Sequence, residues 1–142
     1  MRASDWTLLV IAEAEGQYLE PVQLQKALFL IGKQAHADLG ADQFYEFMPY
    51  DYGPFCRDVY SDAERLAAMG LVRIETARYK RFSATEEGSQ RAAALRDRLT
   101  ANAQDYLRKV VSFVRDLSFN DLVKAIYRAY PEMKEKSVFK EI

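Results

Sequence analysis

The sequence predicts a mostly α-helical fold with one small β-hairpin: a winged helix-turn-helix-like core over residues 1–100 and a C-terminal helical extension, 101–142, packed on it. Three observations carry this. Apolar residues recur at three- and four-residue spacing through most of the chain, the period of a helix with one buried face. Past Gly70 the pattern switches to alternation, Val72 and Ile74 against Arg73 and Glu75, with a short polar turn and a second strand over Tyr79–Ser83. From Phe47 to Gly88 a turn, a helix, two strands and the start of another helix follow in the order of a winged helix-turn-helix.

Each element has its own signals. Ser4 is placed to cap a first helix from Asp5 to about Glu15, burying Trp6, Leu9, Val10 and Ala14 and stopping at Gly16. Pro21 opens the next, where Leu24, Leu28, Ile31, Ala35 and Leu39 trace one stripe and Gly40 closes it; the unbroken apolar run from Leu28 to Ile31 predicts burial on more than one side. Tyr52-Gly53-Pro54 supplies a turn and then a proline whose missing N–H costs nothing at a first helical position. A third helix is therefore expected from Pro54, burying Phe55, Val59, Ala63, Leu66 and Ala67 and ending at Gly70.

After the hairpin, Thr85 reads as an N-cap, with Glu86 and Glu87 suited to the positive end of the helix dipole. Residues 88–99 and 102–117 carry two helical patterns, compatible with one bent helix, the second with Tyr106, Val110, Phe113, Val114 and Leu117 as its stripe. Ser118 and Asp121 form a capping arrangement for a last helix from Phe119 to Tyr130, which buries Leu122, Val123 and Ile126 before Pro131. Val138, Phe139 and Ile142 in the charged tail are able to dock on a neighbour.

Composition narrows the classes. With 142 residues, 49% hydrophobic and 29% charged, the chain can bury a real core and does not read as disordered. No apolar run approaches the ~20 residues of a membrane span, and the N-terminus lacks a signal peptide's apolar block. A cytoplasmic location is expected, and the single cysteine, Cys56, agrees with a reducing compartment. Net charge is −1, unevenly spread: residues 1–52 hold three basic and eight acidic side chains, residues 53–142 seventeen and thirteen.

Catalytic and metal sets are not found. His36 is the only histidine, in place to help the C-terminal carbonyls of its helix, and with one cysteine it cannot make a zinc site of the usual ligand count. Cys56, expected in the first turn of the third helix beside Arg57, sits where a thiol pKa can fall, although burial as an inert thiol is the commoner outcome. No glycine loop fits a phosphate, and no cofactor is expected. An enzyme is not expected.

Two surfaces remain. Seven of the eighteen aromatics lie between Phe44 and Tyr60, which either pack the turn or form an amphipathic recognition patch. The hairpin carries Arg73, Arg78, Lys80 and Arg81 against Glu75, candidates for phosphate contact. The helix that would enter a DNA groove holds Arg57 and Arg65 against Asp58, Asp62 and Glu64, a net negative face with few base-reading side chains.

The run Leu24-Gln25-Lys26-Ala27-Leu28-Phe29-Leu30, followed by Phe47, Tyr50, Tyr52-Gly53-Pro54 and Val59-Tyr60, resembles the Panacea (SocA-like) antitoxin-domain family and the related YwgA-like bacterial proteins, which share an LQKLLYL-type helix and a YGP turn. Ala125-Ile126-Tyr127 to Tyr130-Pro131-Glu132 is similar to the IYxxYPE-type ending of some members. Ala27 stands where a second leucine is common, and Phe47 or Met48 where a tryptophan often precedes the turn. The resemblance implies a small bacterial or phage-associated helical domain that binds a toxin directly or acts as an adaptor. The partner surface is accordingly expected on Tyr50, Tyr52, Phe55 and Arg57, with a protein partner or self-association through Tyr106–Leu117 ahead of DNA.

Overall fold

The computed structural model describes residues 1–34 and 43–139. Its elements are α1 (Ala3–Ala12), α2 (Pro21–Gln34), β1 (Met48–Tyr50), β2 (Gly53–Phe55), α3 (Arg57–Ala68), β3 (Val72–Glu75), β4 (Arg81–Ala84), α4 (Glu86–Arg96), α5 (Ala101–Asp116) and α6 (Phe119–Ala129), then a 3₁₀ turn, Pro131–Lys134. The fold is mostly helical with two small antiparallel strand pairs, β1–β2 and β3–β4. The roles expected for Ala35, His36, Leu39, Gly40 and Ile142 fall outside the described residues.

α1 lies at the centre. Trp6, Thr7, Leu8, Leu9, Val10 and Ile11 are all buried, so the helix is enclosed on every side and packs on α2, α3, α4 and β4. Its start differs from expectation. Ser4 is inside the helix, and Arg2 is the N-cap, its backbone N–H donating to Asp5 Oδ2 at 2.9 Å. Leu19, just before α2, exchanges two backbone hydrogen bonds of 2.8 Å with Phe82, an isolated antiparallel bridge beside β4.

The third helix also begins later than the proline signal implied. Gly53, Pro54 and Phe55 pair as β2 with β1, and α3 starts at Arg57 after an extended Cys56 N-cap. A proline's φ suits an edge strand as well as a first helical turn, and here the side chain of Gln25 decides between them. Its Oε1 accepts from the Cys56 N–H and its Nε2 donates to the Cys56 carbonyl, each at 2.9 Å. That two-pronged contact holds Cys56 extended and sets where the helix can begin.

Beyond α3 the expectations largely hold. Gly70, at φ +79°, ends the helix, and Thr85 caps α4 by accepting from the Gly88 N–H at 3.0 Å. The second hairpin strand lies two residues later at one end and one at the other than expected, Arg81–Ala84. α4 and α5 are separate helices, α4 ending at Arg96 and α5 starting anew after its Thr100 N-cap, so the bent-helix alternative is excluded; Ser118 caps α6 in the same way. One core unites α1–α3 with Leu107, Val111 and Val114 of α5 and with Leu122 and Ile126 of α6, so it runs across residue 100. Phe113, expected in the α5 stripe, is exposed, while Val110 and Val114 are buried and the Tyr106 hydroxyl donates to the Leu30 carbonyl at 3.1 Å. Most of the stripe offered for self-association is thus used in packing.

Gly88 is where α4 meets the start of β3. A Cβ there would lie 1.8 Å from the Leu71 carbonyl oxygen, and that carbonyl is already fixed by the Thr85 N–H at 3.1 Å. Gly88→Ala is expected to cost about 3 kcal/mol or more in urea unfolding, since backbone and not a flexible side chain must move. Gln25→Leu is expected to cost about 2–4 kcal/mol by leaving both backbone groups of buried Cys56 without partners.

Candidate functional site

The first hairpin folds over α2 and creates a groove. Asp51 and Tyr52 form its two-residue turn, and Gly53 completes it at φ +106°. Pro49 and Pro54 face each other across the pair, and neither has an N–H to exchange. The Pro54 carbonyl is instead met from below by Lys26 Nζ at 3.3 Å.

This arrangement brings Tyr50, Tyr52 and Phe55 together with Val22 of α2, Tyr60 of α3 and Phe119 of α6 around an open groove of about 390 Å³. The rings interlock. Tyr50 lies against Phe55 at 5.0 Å between centroids, Phe55 against Tyr60 at 5.7 Å, and Tyr52 meets Phe119 edge-on at 5.1 Å. Tyr50 and Tyr52 nevertheless remain 51% and 45% exposed, which leaves large amphipathic faces toward solvent. Of the four expected partner contacts, three share this groove. Arg57 is exposed on α3 but does not line it.

Lys26 is the polar group that the sequence reading missed as a site residue. It is only 3% exposed, lines the groove, and belongs to no ion pair among the described residues. Burial lowers its pKa from 10.5 to about 8. The available signal was the expected burial of this helix on more than one side, which leaves little room for Gln25 and Lys26 to reach water.

The second hairpin presents a different surface. Arg73 and Arg78 are exposed, whereas the Arg81 guanidinium lies 4.6 Å from the Tyr18 ring and 4.7 Å from the Tyr79 ring. Lys80 Nζ sits 5.7 Å above Tyr60, which itself stacks on Phe82. Two of the four basic side chains are thus held by rings.

Cys56 is buried, and burial pushes its thiol pKa up, opposite to the lowering that its place beside a helix start suggested. On the far side of α3, Tyr45 donates to Asp62 Oδ2 at 2.6 Å and takes a hydrogen bond from Thr7 at 2.7 Å; burial, then the Asp62 carboxylate, raise its pKa. Among the described residues no group of three His, Cys, Asp or Glu side chains is placed to hold a metal, and no helix is long and apolar enough to cross a membrane. No family model, curated protein or solved structure matches this chain.

The lowered Lys26 pKa has a thermodynamic signature. Between about pH 8 and 10.5 the unfolded chain holds a proton that folded Lys26 has released, so stability rises with pH in that window, by up to ~1.4 kcal/mol per pH unit. Above pH 10 the tyrosines with raised pKa values, Tyr45, Tyr60, Tyr106 and Tyr127, act in the opposite direction. Urea midpoints are expected to climb from pH 8 to about 10, and Lys26→Met is expected to flatten that climb.

Proposed function

We propose that this chain is a non-enzymatic protein-interaction module of antitoxin or adaptor type, and that its partner docks on the aromatic groove. The observation carrying this is the convergence of Tyr50, Tyr52 and Phe55 with Tyr60 and Phe119, from three separate elements, around one open apolar surface. Exposed aromatic rings beside a concave apolar surface are what partner hot spots use. The resemblance of the LQKALFL helix and the YGP turn to Panacea-type antitoxin domains points the same way, since Lys26 and Tyr52-Gly53 of those motifs line the groove.

The same reading takes the core as winged-helix-like. Its support is the order α1, α2, α3 and the β3–β4 hairpin, with Leu19, between α1 and α2, bridged to β4. That order, with Arg73 and Arg78 exposed on the hairpin, favours a second reading as a DNA-binding transcription regulator. Against it stand the acidic side chains Asp58, Asp62 and Glu64 on α3 and the engagement of Lys80 and Arg81 by rings.

The two readings separate by salt. Protein capture from the native host is expected at both low and high salt, with the captured protein then rebinding in purified form. Tyr52→Ala with Phe55→Ala is expected to weaken that rebinding by at least about 30-fold, the scale of a hot-spot loss. Retention of nucleic acid alone, released with a slope near −0.9 per phosphate contact as salt rises, would replace the protein reading with the DNA one.

A further inference from the structure

Resting on the groove as the partner surface, the arrangement of charge within it points to a more specific occupant. We propose that the groove binds the free C-terminus of a partner polypeptide, with an apolar last side chain among the rings, its carboxylate on Lys26, and a basic residue just upstream meeting Glu20 and Asp51.

Three observations on the groove support this occupant. Lys26 is a buried ammonium that donates to the Pro54 carbonyl at 3.3 Å, which leaves two of its three N–H donors for an anion. A charge this deeply enclosed without a counter-ion is unfavourable for the fold alone, and an arriving carboxylate supplies the missing partner. Half-buried Glu20 and Asp51 line the same groove, and neither carboxylate takes part in an ion pair among the described residues. An anion alone would be repelled by them, whereas a chain end with a cation upstream satisfies both signs.

The shape agrees. About 390 Å³ admits one large side chain and a chain end, not an amphipathic helix, and the half-exposed Tyr50 and Tyr52 leave the chain a way out to solvent. Capture of a terminal carboxylate is a known mode of peptide recognition. The other polar side chains around the site include the hydroxyls of Tyr50, Tyr52, Tyr60 and Tyr127, each able to donate a hydrogen bond.

The test uses the full chain and a pool of randomised synthetic heptapeptides, presented as free acids and as C-terminal amides, with retained peptides read by mass spectrometry and remeasured singly by calorimetry. Free acids ending in an apolar or aromatic residue with Lys or Arg upstream are expected to be retained, and amidation to weaken them at least about tenfold. Lys26→Met is expected to abolish the difference between acid and amide, and Tyr52→Ala to weaken both forms alike. If Lys26→Met does not fold, the comparison of acid with amide on the unaltered protein decides. Amides held as tightly as acids, yet released by Tyr52→Ala, overturn the carboxylate inference and leave the groove as an interaction surface. Phenylacetate bound as tightly as the best peptide also overturns it, in favour of a small-acid site. Retention that neither Tyr52→Ala nor Phe55→Ala alters, or no retention, overturns the inference and the groove reading together.

Discussion

The contact of the Gln25 side chain with both backbone groups of Cys56 governs much of this molecule. A primary amide has one donor side and one acceptor side, so it can complete an extended residue's N–H and C=O as a neighbouring strand would. Because Gln25 is buried on α2, the segment before α3 is tied to the helix beneath it, and the hairpin is laid over α2 instead of continuing into α3. Remove that tie and Gly53-Pro54-Phe55 is held extended only by its short pairing with β1 and the Lys26 contact. The neighbouring position then follows: Lys26, next to Gln25 on the same helix, comes up under the Pro54 carbonyl and meets the acceptor that two facing prolines leave over.

A division of labour follows between two halves of the aromatic cluster. Phe44, Tyr45 and Phe47 turn toward the core, where Trp6 and Phe29 meet them edge-on and Tyr45 is anchored by Asp62 and Thr7. Tyr50, Tyr52 and Phe55 turn outward around the groove. The packing reading describes the first half of the cluster, the proposed partner surface draws on the second, and the border between them is β1. Rings in the first half hold the segment down so that rings in the second can remain exposed without the hairpin lifting.

Helix periodicity made most of the fold legible, since six amphipathic or buried segments, their Thr85 and Ser118 starts and the Gly70 stop follow from spacing and capping chemistry. Two things escaped it. A proline after glycine is compatible with a helix start and with an edge strand, and only a side chain 31 residues earlier resolves the choice. Gly88 looked like an ordinary helix-start residue, yet its role is the closeness of two backbones, which no local pattern encodes. The site was half legible: aromatic density took in Tyr50, Tyr52, Phe55 and Tyr60, while Lys26 and Phe119 join them through tertiary packing alone. Arg57, expected as a polar contact beside the aromatic turn, is the first residue of α3, exposed and outside the groove lining.

The residues after α6 have a role in time as well as in space. Ser137 and Val138 donate to the Asp51 carbonyl at the hairpin turn, across 86 residues of sequence in the case of Ser137, and Tyr127 donates to Ser137 in turn. Phe139 packs on Phe119, which in turn forms one wall against Tyr52. On a ribosome, a nascent chain with α1 to α4 already folded would therefore still lack one wall of the groove and the clasp on its turn. A partner of the kind proposed would find that surface whole only after synthesis has passed Phe139.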